Sequence, residues 1–580
     1  MRRKRSYVLR SAGCLCFLLN WWAALAVRPM PIHGGGAGGD HRFSPASAGE
    51  RYAGLAIGVP LDGSEHPELD DVGAVNVLYG SSAGLTAAED QLWHQDANDV
   101  EDWAEGGDRF GGALTAGDFD GDGYVDLAVG VPHEDLGSPE VENAGAVAVL
   151  YGSVAGLSPV GDQLWYQDGP GIEGAGEAGD GFGLALAAGD FDGDGYIDLA
   201  VGVPFDNVEG LGDAGALNVL YGSSQGLTAV GNQWWHQNSP EAVGVAEWGD
   251  WFGYSLAAGD LNGDGYADLA IGVPHEDVGN PEVTDAGAVN VLYGSSDGLS
   301  AMGDQMWYQD SPDVEGTPRE FDEFGFALAT GDFDGDGYLD LAVGVPGDSA
   351  GGLPMPGGGA VNILMGSSVG LTVPGNRMWH QDSPGVGGVA QLGDRFGSAL
   401  TAGDLDGDGC ADLAVGVPYE DVGNPEVADA GVVNVLYGSR AGLTATGDQL
   451  WYQDSAGVIG VAQQMDYFGS ALASGDLDGD GHADLAVGVP GEDVASPAIT
   501  NAGAVNVLYG SSSGLSADKD QMWHQDSPGI EGTAEEADGF GATLIVVGPV
   551  RRRVYLPLIQ RQSPSDGRGS TAQERPGRVS

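Results

Sequence analysis

The sequence predicts an all-β fold, a seven-bladed β-propeller of four-stranded blades whose last blade is closed by N- and C-terminal strands. Three observations carry this prediction. A unit of 70 or 72 residues recurs along most of the chain. Each unit contains four short apolar runs of strand length, separated by Gly-, Pro- and Asp-rich turns. Each of the four runs occurs seven times, although only six units are contiguous, and the surplus runs at the two ends complete one another.

Taken in order, a unit begins with a Phe-Gly pair: Phe110-Gly111, Phe182-Gly183, Phe252-Gly253, Phe324-Gly325, Phe396-Gly397 and Phe468-Gly469, with a seventh at Phe540-Gly541. An Asp-rich loop follows. Next comes an apolar run ending Gly-Val-Pro, at Pro132, Pro204, Pro274, Pro346, Pro418 and Pro490, with a seventh upstream at Pro60. The third run ends in Leu-Tyr-Gly or Leu-Met-Gly. The fourth carries Trp93, Trp165, Trp235, Trp307, Trp379, Trp451 or Trp523, read as packing between blades. Four strands per repeat around an axis is the signature of a propeller; a solenoid has shorter units and needs end caps. The second to fourth strands between Tyr52 and Asp96 and the first strand from Phe540 to Val547 are the surplus. Joined, they make a seventh blade and remove the open sheet edges of a linear array.

The Asp-rich loop is an oxygen cage. In Asp118–Asp126, acidic side chains stand at positions one, three, five and nine, and Gly123 stands sixth. Ca²⁺ takes six to eight oxygens, which a short loop supplies from alternate carboxylates and a backbone carbonyl. An EF-hand closes with Glu at position twelve; that position is Val129, so the ninth-position Asp126 is expected to close the cage. The expected ligands of the first loop are Asp118, Asp120, Asp122, the Tyr124 carbonyl and Asp126. Those of the second are Asp190, Asp192, Asp194, Tyr196 and Asp198. The third loop offers Asp260, Asn262, Asp264, Tyr266 and Asp268, with an amide oxygen replacing a carboxylate. The fourth offers Asp332, Asp334, Asp336, Tyr338 and Asp340, the fifth Asp404, Asp406, Asp408, Cys410 and Asp412, and the sixth Asp476, Asp478, Asp480, His482 and Asp484. The expectation is six structural Ca²⁺ sites, with Cys410 serving through its carbonyl alone. The composite blade is expected to lack calcium, because Ala46, Ala48, Glu50 and Gly54 fall at the ligand positions.

The Phe-Gly strand, the nine-residue Asp loop and the Gly-Val-Pro end together resemble the FG-GAP repeat, with Gly-Val-Pro in place of Gly-Ala-Pro. The chain is similar to the integrin α-subunit N-terminal propeller and its bacterial secreted relatives over roughly residues 40–548. The resemblance implies a seven-bladed propeller, Ca²⁺ in the hairpins between the first two strands, and extracellular recognition or adhesion. Integrin α subunits carry calcium in only some blades, so six cages are a departure. A β-subunit partner is not implied.

Composition excludes other classes. Gly is 103 of 580 residues, far above the usual share of about 7%, without a Gly-X-Y period. Acidic residues outnumber basic ones 86 to 21, giving a net charge of −65. Between residues 52 and 548 the basic side chains are Arg109, Arg319, Arg377, Arg395, Arg440 and Lys519. No basic stripe exists to neutralise phosphates, so no nucleic-acid partner is expected.

Residues 1–26 read as a signal peptide: Arg2 to Arg5 are basic, an apolar run follows, and Ala24-Leu25-Ala26 fits a small-x-small cleavage site. A linker over 27–39, the propeller over 40–548 and a disordered basic, polar tail over 549–580 complete the expected organisation. The tail is too short in apolar content to span a membrane. No catalytic triad order, zinc signature or phosphate loop is present, so no enzyme is expected. The chain reads as a secreted or cell-surface monomer that binds an extracellular protein or glycan. The alternative is an extracellular enzyme, such as a polysaccharide lyase or phospholipase, with its site in the propeller channel. The ligand face is expected opposite the calcium loops, where His133-Glu134-Asp135, His275-Glu276-Asp277, Tyr419-Glu420-Asp421, Trp103, Trp248 and Trp251 lie in the less regular loops.

Overall fold

The computed structural model describes residues 52–548 apart from 64–68, 98–99, 101–102, 138–140, 280, 350–356, 424 and 495–496. The proposed signal peptide, linker and tail lie outside the described residues, as do Ala46, Ala48 and Glu50.

The described chain is all-β, with seven four-stranded antiparallel sheets. In the first contiguous blade the strands are Ala113–Gly117, Asp126–Val131, Ala146–Ser153 and Gly156–Trp165, paired in sequence order. The composite blade is built as the sequence predicts. Thr543–Val547 pairs antiparallel with Gly54–Val59, in the register Leu55↔Val546 and Ile57↔Leu544. Ala74–Ser81 and Gly84–Trp93 follow outward.

First strands of neighbouring blades touch one another around a closed circuit, from Ala113–Gly117 through each blade to Thr543–Val547 and back. They therefore line the axis. The second and third strands are almost wholly buried, and the fourth is half exposed at the perimeter. That burial explains the near-continuous apolar runs in the middle strands and the polar fourth strand.

Gly-Val-Pro keeps its glycine because blades interlock there. A Cβ on Gly130 would lie 2.1 Å from the Gly183 carbonyl oxygen of the next blade. The same clash recurs around the ring and closes it, between Gly488 and Gly541 and between Gly58 and Gly111. The two halves of the repeat motif, Phe-Gly and Gly-Val-Pro, are thus the two sides of one joint.

A second joint runs beneath it. Each glutamine after the Trp strand donates its side-chain N–H to a carboxylate of the next blade: Gln95 to Glu134 at 2.7 Å, Gln167 to Asp206 at 2.9 Å, Gln237 to Glu276 at 2.7 Å and Gln381 to Glu420 at 2.8 Å. Gln525 to Asp62, at 2.8 Å, crosses the chain closure. Among the described residues no helix is long and apolar enough to cross a membrane.

Candidate functional site

The antiparallel meander puts the six Asp loops on one face and the loops between second and third strands, and between blades, on the other. Each Asp loop is pinned from beneath. Phe119, its second residue, is fully buried. The Phe119 N–H donates to Asp126 Oδ2 at 2.7 Å, and the Gly152 N–H donates to Asp126 Oδ1 at 2.7 Å. The closing aspartate therefore ties its own loop to the third strand. All six loops repeat this pair of bonds, through Asp198, Asp268, Asp340, Asp412 and Asp484.

Above that tie the other carboxylates turn inward. The Asp122 N–H bonds Asp120 Oδ1 at 2.9 Å, the Tyr124 N–H bonds Asp122 Oδ1 at 2.9 Å, and the Gly123 N–H bonds Asp118 Oδ2 at 3.1 Å. Gly123 has φ 95°, the left-handed turn that closes the loop. Carboxylate oxygens of Asp118, Asp120 and Asp122 lie within 4.8 Å of one another; so do those of Asp190, Asp192 and Asp194 and of Asp332, Asp334 and Asp336. In the fifth and sixth loops the trio is Asp404, Asp406 and Asp412, and Asp476, Asp478 and Asp484. The third loop, with Asn262, brings no carboxylate trio together among the described residues. Its Asp260, Asn262 and Asp264 oxygens accept loop amides.

Electrostatics favour a cation. Burial, with Asp120 nearby, pushes Asp126 up to about 8, and burial raises Asp118 and Asp120 as well. Crowded carboxylates take up protons when no other positive charge balances them. Asp118 Oδ1, Asp190 Oδ1 and Asp404 Oδ1 are buried without a hydrogen-bond partner, the orphaned acceptors a cation would satisfy. The sixth loop differs: the Lys519 ammonium sits 2.7 Å from Asp478 Oδ2.

The seventh-position side chains do more than sequence reasoning allowed. A Cβ on Gly121 would lie 2.5 Å from the Tyr196 ring, and one on Gly193 or Gly263 would lie 2.5 Å from Tyr266 or Tyr338. His482 lies over Gly407 in the same way. With Cys410 over Gly335, five of the six seventh-position residues thus pack over the fourth-position glycine of the preceding loop. Cys410 is buried, and burial pushes its thiol up to about 11, which leaves it an inert packing group.

The opposite face has a repeating backbone and varying side chains. The residue before each Phe-Gly takes a left-handed conformation in all seven blades. Two blades use Gly181 and Gly539; the other five place Arg109, Trp251, Glu323, Arg395 and Tyr467 there, with φ between 57° and 62°. Two residues earlier the backbone is left-handed again. Four blades supply glycine, but Phe321 (φ 67°), Met465 (φ 65°) and Ala537 (φ 73°) stand in the others. Large side chains at positive φ are strained, each by on the order of 1 kcal/mol.

These residues meet. The Trp251 ring stacks on His275 at 3.8 Å and on Tyr254 at 5.7 Å, and meets Phe205 edge-on at 5.4 Å. Tyr254 continues to Phe326 at 5.3 Å, and the Arg395 guanidinium lies 5.1 Å from the Phe326 ring. Arg395 pairs with Glu323 at 2.5 Å, and Tyr419 meets Tyr467 at 5.4 Å. Beside this arc Trp248 is 73% exposed and Phe321 57% exposed. Desolvation lowers His275 from its ordinary value, with Asp285 opposing. Trp103, also expected here, is 83% exposed.

One expectation for this face fails. Glu134, Glu276 and Glu420, the middle residues of three predicted ligand-face triplets, are buried and hold the glutamine joints described above. They bind the ring together and are not available to a ligand. Phe205, Tyr254, Phe326, Arg395 and Tyr467 were missed. Their signal was present: the position before and the position after each Phe-Gly vary within a constant frame.

The FG-GAP repeat profile matches residues 110–150, 182–220, 252–292, 324–361, 396–436 and 468–508. Over 241 residues the chain is 35% identical to integrin alpha-PS2 of Drosophila melanogaster, covering 40% of this chain and 15% of that protein. Over 167 residues it is 38% identical to phosphatidylinositol-glycan-specific phospholipase D of Homo sapiens, covering 29% of this chain and 19% of that protein. The chain thus spans less than a quarter of the length of these relatives. A solved structure of Bacillus licheniformis rhamnogalacturonan lyase PL11 aligns over 75% of both chains at 12% identity and a TM-score of 0.32, too low to carry an argument.

Proposed function

Starting from a chain that is an FG-GAP repeat protein with an integrin-α-like propeller, we propose that it is a secreted, calcium-stabilised recognition module. It binds an extracellular protein or glycan, in adhesion or a related contact, without catalysing a reaction and as a monomer. The Asp loops hold Ca²⁺ through the clustered carboxylates, with the orphaned Asp118, Asp190 and Asp404 oxygens as the observation that fits a cation. The bound ions stabilise hairpins and do not contact the ligand.

The ligand surface is the aromatic arc of Phe205, Trp251, Tyr254, His275, Phe326 and Arg395 at the axial mouth of the opposite face. The observation that carries this is the placing of Trp251, Arg395 and Tyr467 on left-handed backbone that Gly181 and Gly539 occupy without strain. Strain held against an available glycine marks a position kept for its side chain. Aromatic rings flanked by Glu323 and Arg395 suit a ligand with apolar faces and hydrogen-bonding edges. The test is binding of the calcium-loaded protein to glycan and matrix-protein arrays, beside a Trp251→Ala variant. The expected result is a ligand class whose signal the variant loses. Turnover of a polysaccharide or phospholipid without any retained ligand would overturn the reading.

A further inference from the structure

The sixth Asp loop has side-chain partners of its own. Lys519 stands on the fourth strand of that blade, Ser516–Trp523. The other five Asp-loop blades have glycine at the matching place, each at positive φ: Gly161, Gly231, Gly303, Gly375 and Gly447. The Lys519 ammonium reaches Asp478 Oδ2 at 2.7 Å, and the Asp478 side chain is only 2% exposed. The matching third-position residues Asp120, Asp192, Asn262, Asp334 and Asp406 are half-buried. Arg440, beside the fourth loop, donates instead to the Gly335 carbonyl.

Two further contacts occupy the same loop. His482 Nδ1 lies 3.0 Å from Asp480 Oδ1, at the fifth position. The other loops have Tyr or Cys where His482 stands. Asp476 Oδ1 accepts the Asp480 N–H at 3.0 Å. Asp260 and Asp332 are satisfied in the same way, whereas the Oδ1 atoms of Asp118, Asp190 and Asp404 are orphaned.

We propose that Lys519 is the resident cation of the sixth loop, which therefore holds without a metal. This rests on the calcium reading of the other Asp loops. A buried carboxylate has to be paired, and a short charge-assisted bond to the ammonium pairs Asp478. A metal in this loop would need the Asp478 oxygen that the ammonium already holds, and would meet that ammonium at close range with like charge. The lysine is also held from its other side. Its Nζ lies 5.7 Å from the centre of the Tyr509 ring, a favourable place for a cation. That ring is fixed in turn, because its hydroxyl donates to Gln521 Oε1 and accepts the Leu85 N–H of the composite blade at 3.2 Å.

The place of this loop in the ring gives the device a use. The first-position carbonyl of each Asp loop faces the blade that follows. Ile197 donates its N–H to Asp118 at 3.2 Å and Ala267 to Asp190 at 2.9 Å. Asp476 accepts the Ala53 N–H of the composite blade, at 3.1 Å. The composite blade has no Asp pattern of its own. The joint at which the ring closes on its composite blade thus hangs on a loop that carries its own positive charge. Loss of calcium would loosen the joints at Asp118 and Asp190 and leave this one shut.

The experiment uses the full chain. Bound calcium is counted by equilibrium dialysis at a concentration that just saturates the wild type. Amide exchange is read with calcium and with EDTA, below the melting temperature in EDTA. Lys519 is 55% exposed, so its replacement leaves the core intact. Lys519→Gly, which installs the residue of the other five blades, should bind one ion more than the wild type. Lys519→Arg keeps the charge and should bind the same number. In the wild type, EDTA should speed exchange at Ile197 and Ala267 at least about tenfold and leave Ala53 unchanged; in Lys519→Gly, Ala53 should join them. An equal, non-zero count in the wild type and Lys519→Gly overturns the proposal and leaves the calcium reading standing. So does a wild-type Ala53 amide as calcium-dependent as Ile197. No ion bound by any of the three proteins overturns both.

Discussion

The two faces of this ring are built from loops that repeat the same number of times, yet they repeat different things. On the Asp-loop face both backbone and side chains recur: six buried aspartates each accept the same two amides at 2.7 to 2.9 Å. On the opposite face the backbone recurs as strictly, with φ between 57° and 67° before every Phe-Gly, but the side chain there is Arg, Gly, Trp, Glu, Arg, Tyr and Gly in turn. A part that must hold the ring has to be the same at every joint. A part that presents chemistry can vary while its frame stays fixed.

The largest test of this contrast is removal of calcium. If the Asp loops are metal-held joints, EDTA should lower the melting temperature steeply, and added calcium should restore it. At ten times its dissociation constant each ion contributes about 1.4 kcal/mol, so several sites together would equal a large part of a domain's stability. Ligand binding at the other face should weaken only as the fold is lost. A melting temperature indifferent to EDTA would reduce the loops to hydrogen-bonded turns.

Asp126→Ala tests the same face without metal. It leaves the Phe119 and Gly152 amides without acceptors inside the protein, a cost of about 2 to 4 kcal/mol in urea unfolding with EDTA present. Asp122→Ala, at an exposed loop position, should cost far less under those conditions. Equal losses would mean that the ninth aspartate acts through the metal alone.

The glutamine joints provide a pH test. Burial pushes Glu276 up to about 8 from its ordinary 4.5, against the pull of the Gln237 N–H. The folded state therefore holds a proton that the unfolded chain releases near pH 4.5. The stability this lends is complete below the unfolded value and is lost as pH rises towards 8. Glu276→Gln keeps a neutral group in place and should flatten that slope at fixed, saturating calcium. Denaturation midpoints of the two proteins, measured from pH 5 to about 9, should diverge upward, with the variant the more stable at the alkaline end. Parallel curves would mean that Glu276 titrates normally.

The frame of the molecule was legible because its constraints are periodic. Gly130 and Gly183 clash with any larger residue, so the Phe-Gly and Gly-Val-Pro marks recur and the closure of 52–96 with 540–547 could be counted from them. The Asp-loop carboxylates, which the structure gathers into trios in five of the six loops, were legible for the same reason. Less legible was what depends on contacts between units. Glu276 looked like part of an exposed acidic triplet, and only the neighbouring blade, through Gln237, makes it a buried joint. Tyr196 looked dispensable except for its carbonyl, because the glycine it covers belongs to the previous loop. The aromatic arc assembles from Phe205, Trp251, Tyr254 and Phe326, which come from three blades.

The smallest expected effect is the most discriminating. Arg109 occupies the left-handed slot of the first contiguous blade at φ 61°, and its Nε is buried without a partner. Gly181 and Gly539 show that the slot accepts glycine. Arg109→Gly should therefore stabilise the protein by about 1 kcal/mol, relief of the left-handed strain outweighing the added freedom of the unfolded chain. A structural role for Arg109 predicts the reverse sign. Read by urea midpoint and by ligand retention on the array, the variant should be more stable and bind more weakly. That combination is the mark of a side chain kept at a cost to the fold, and a glycine variant that is less stable yet binds normally would move Arg109 to the class of Asp126.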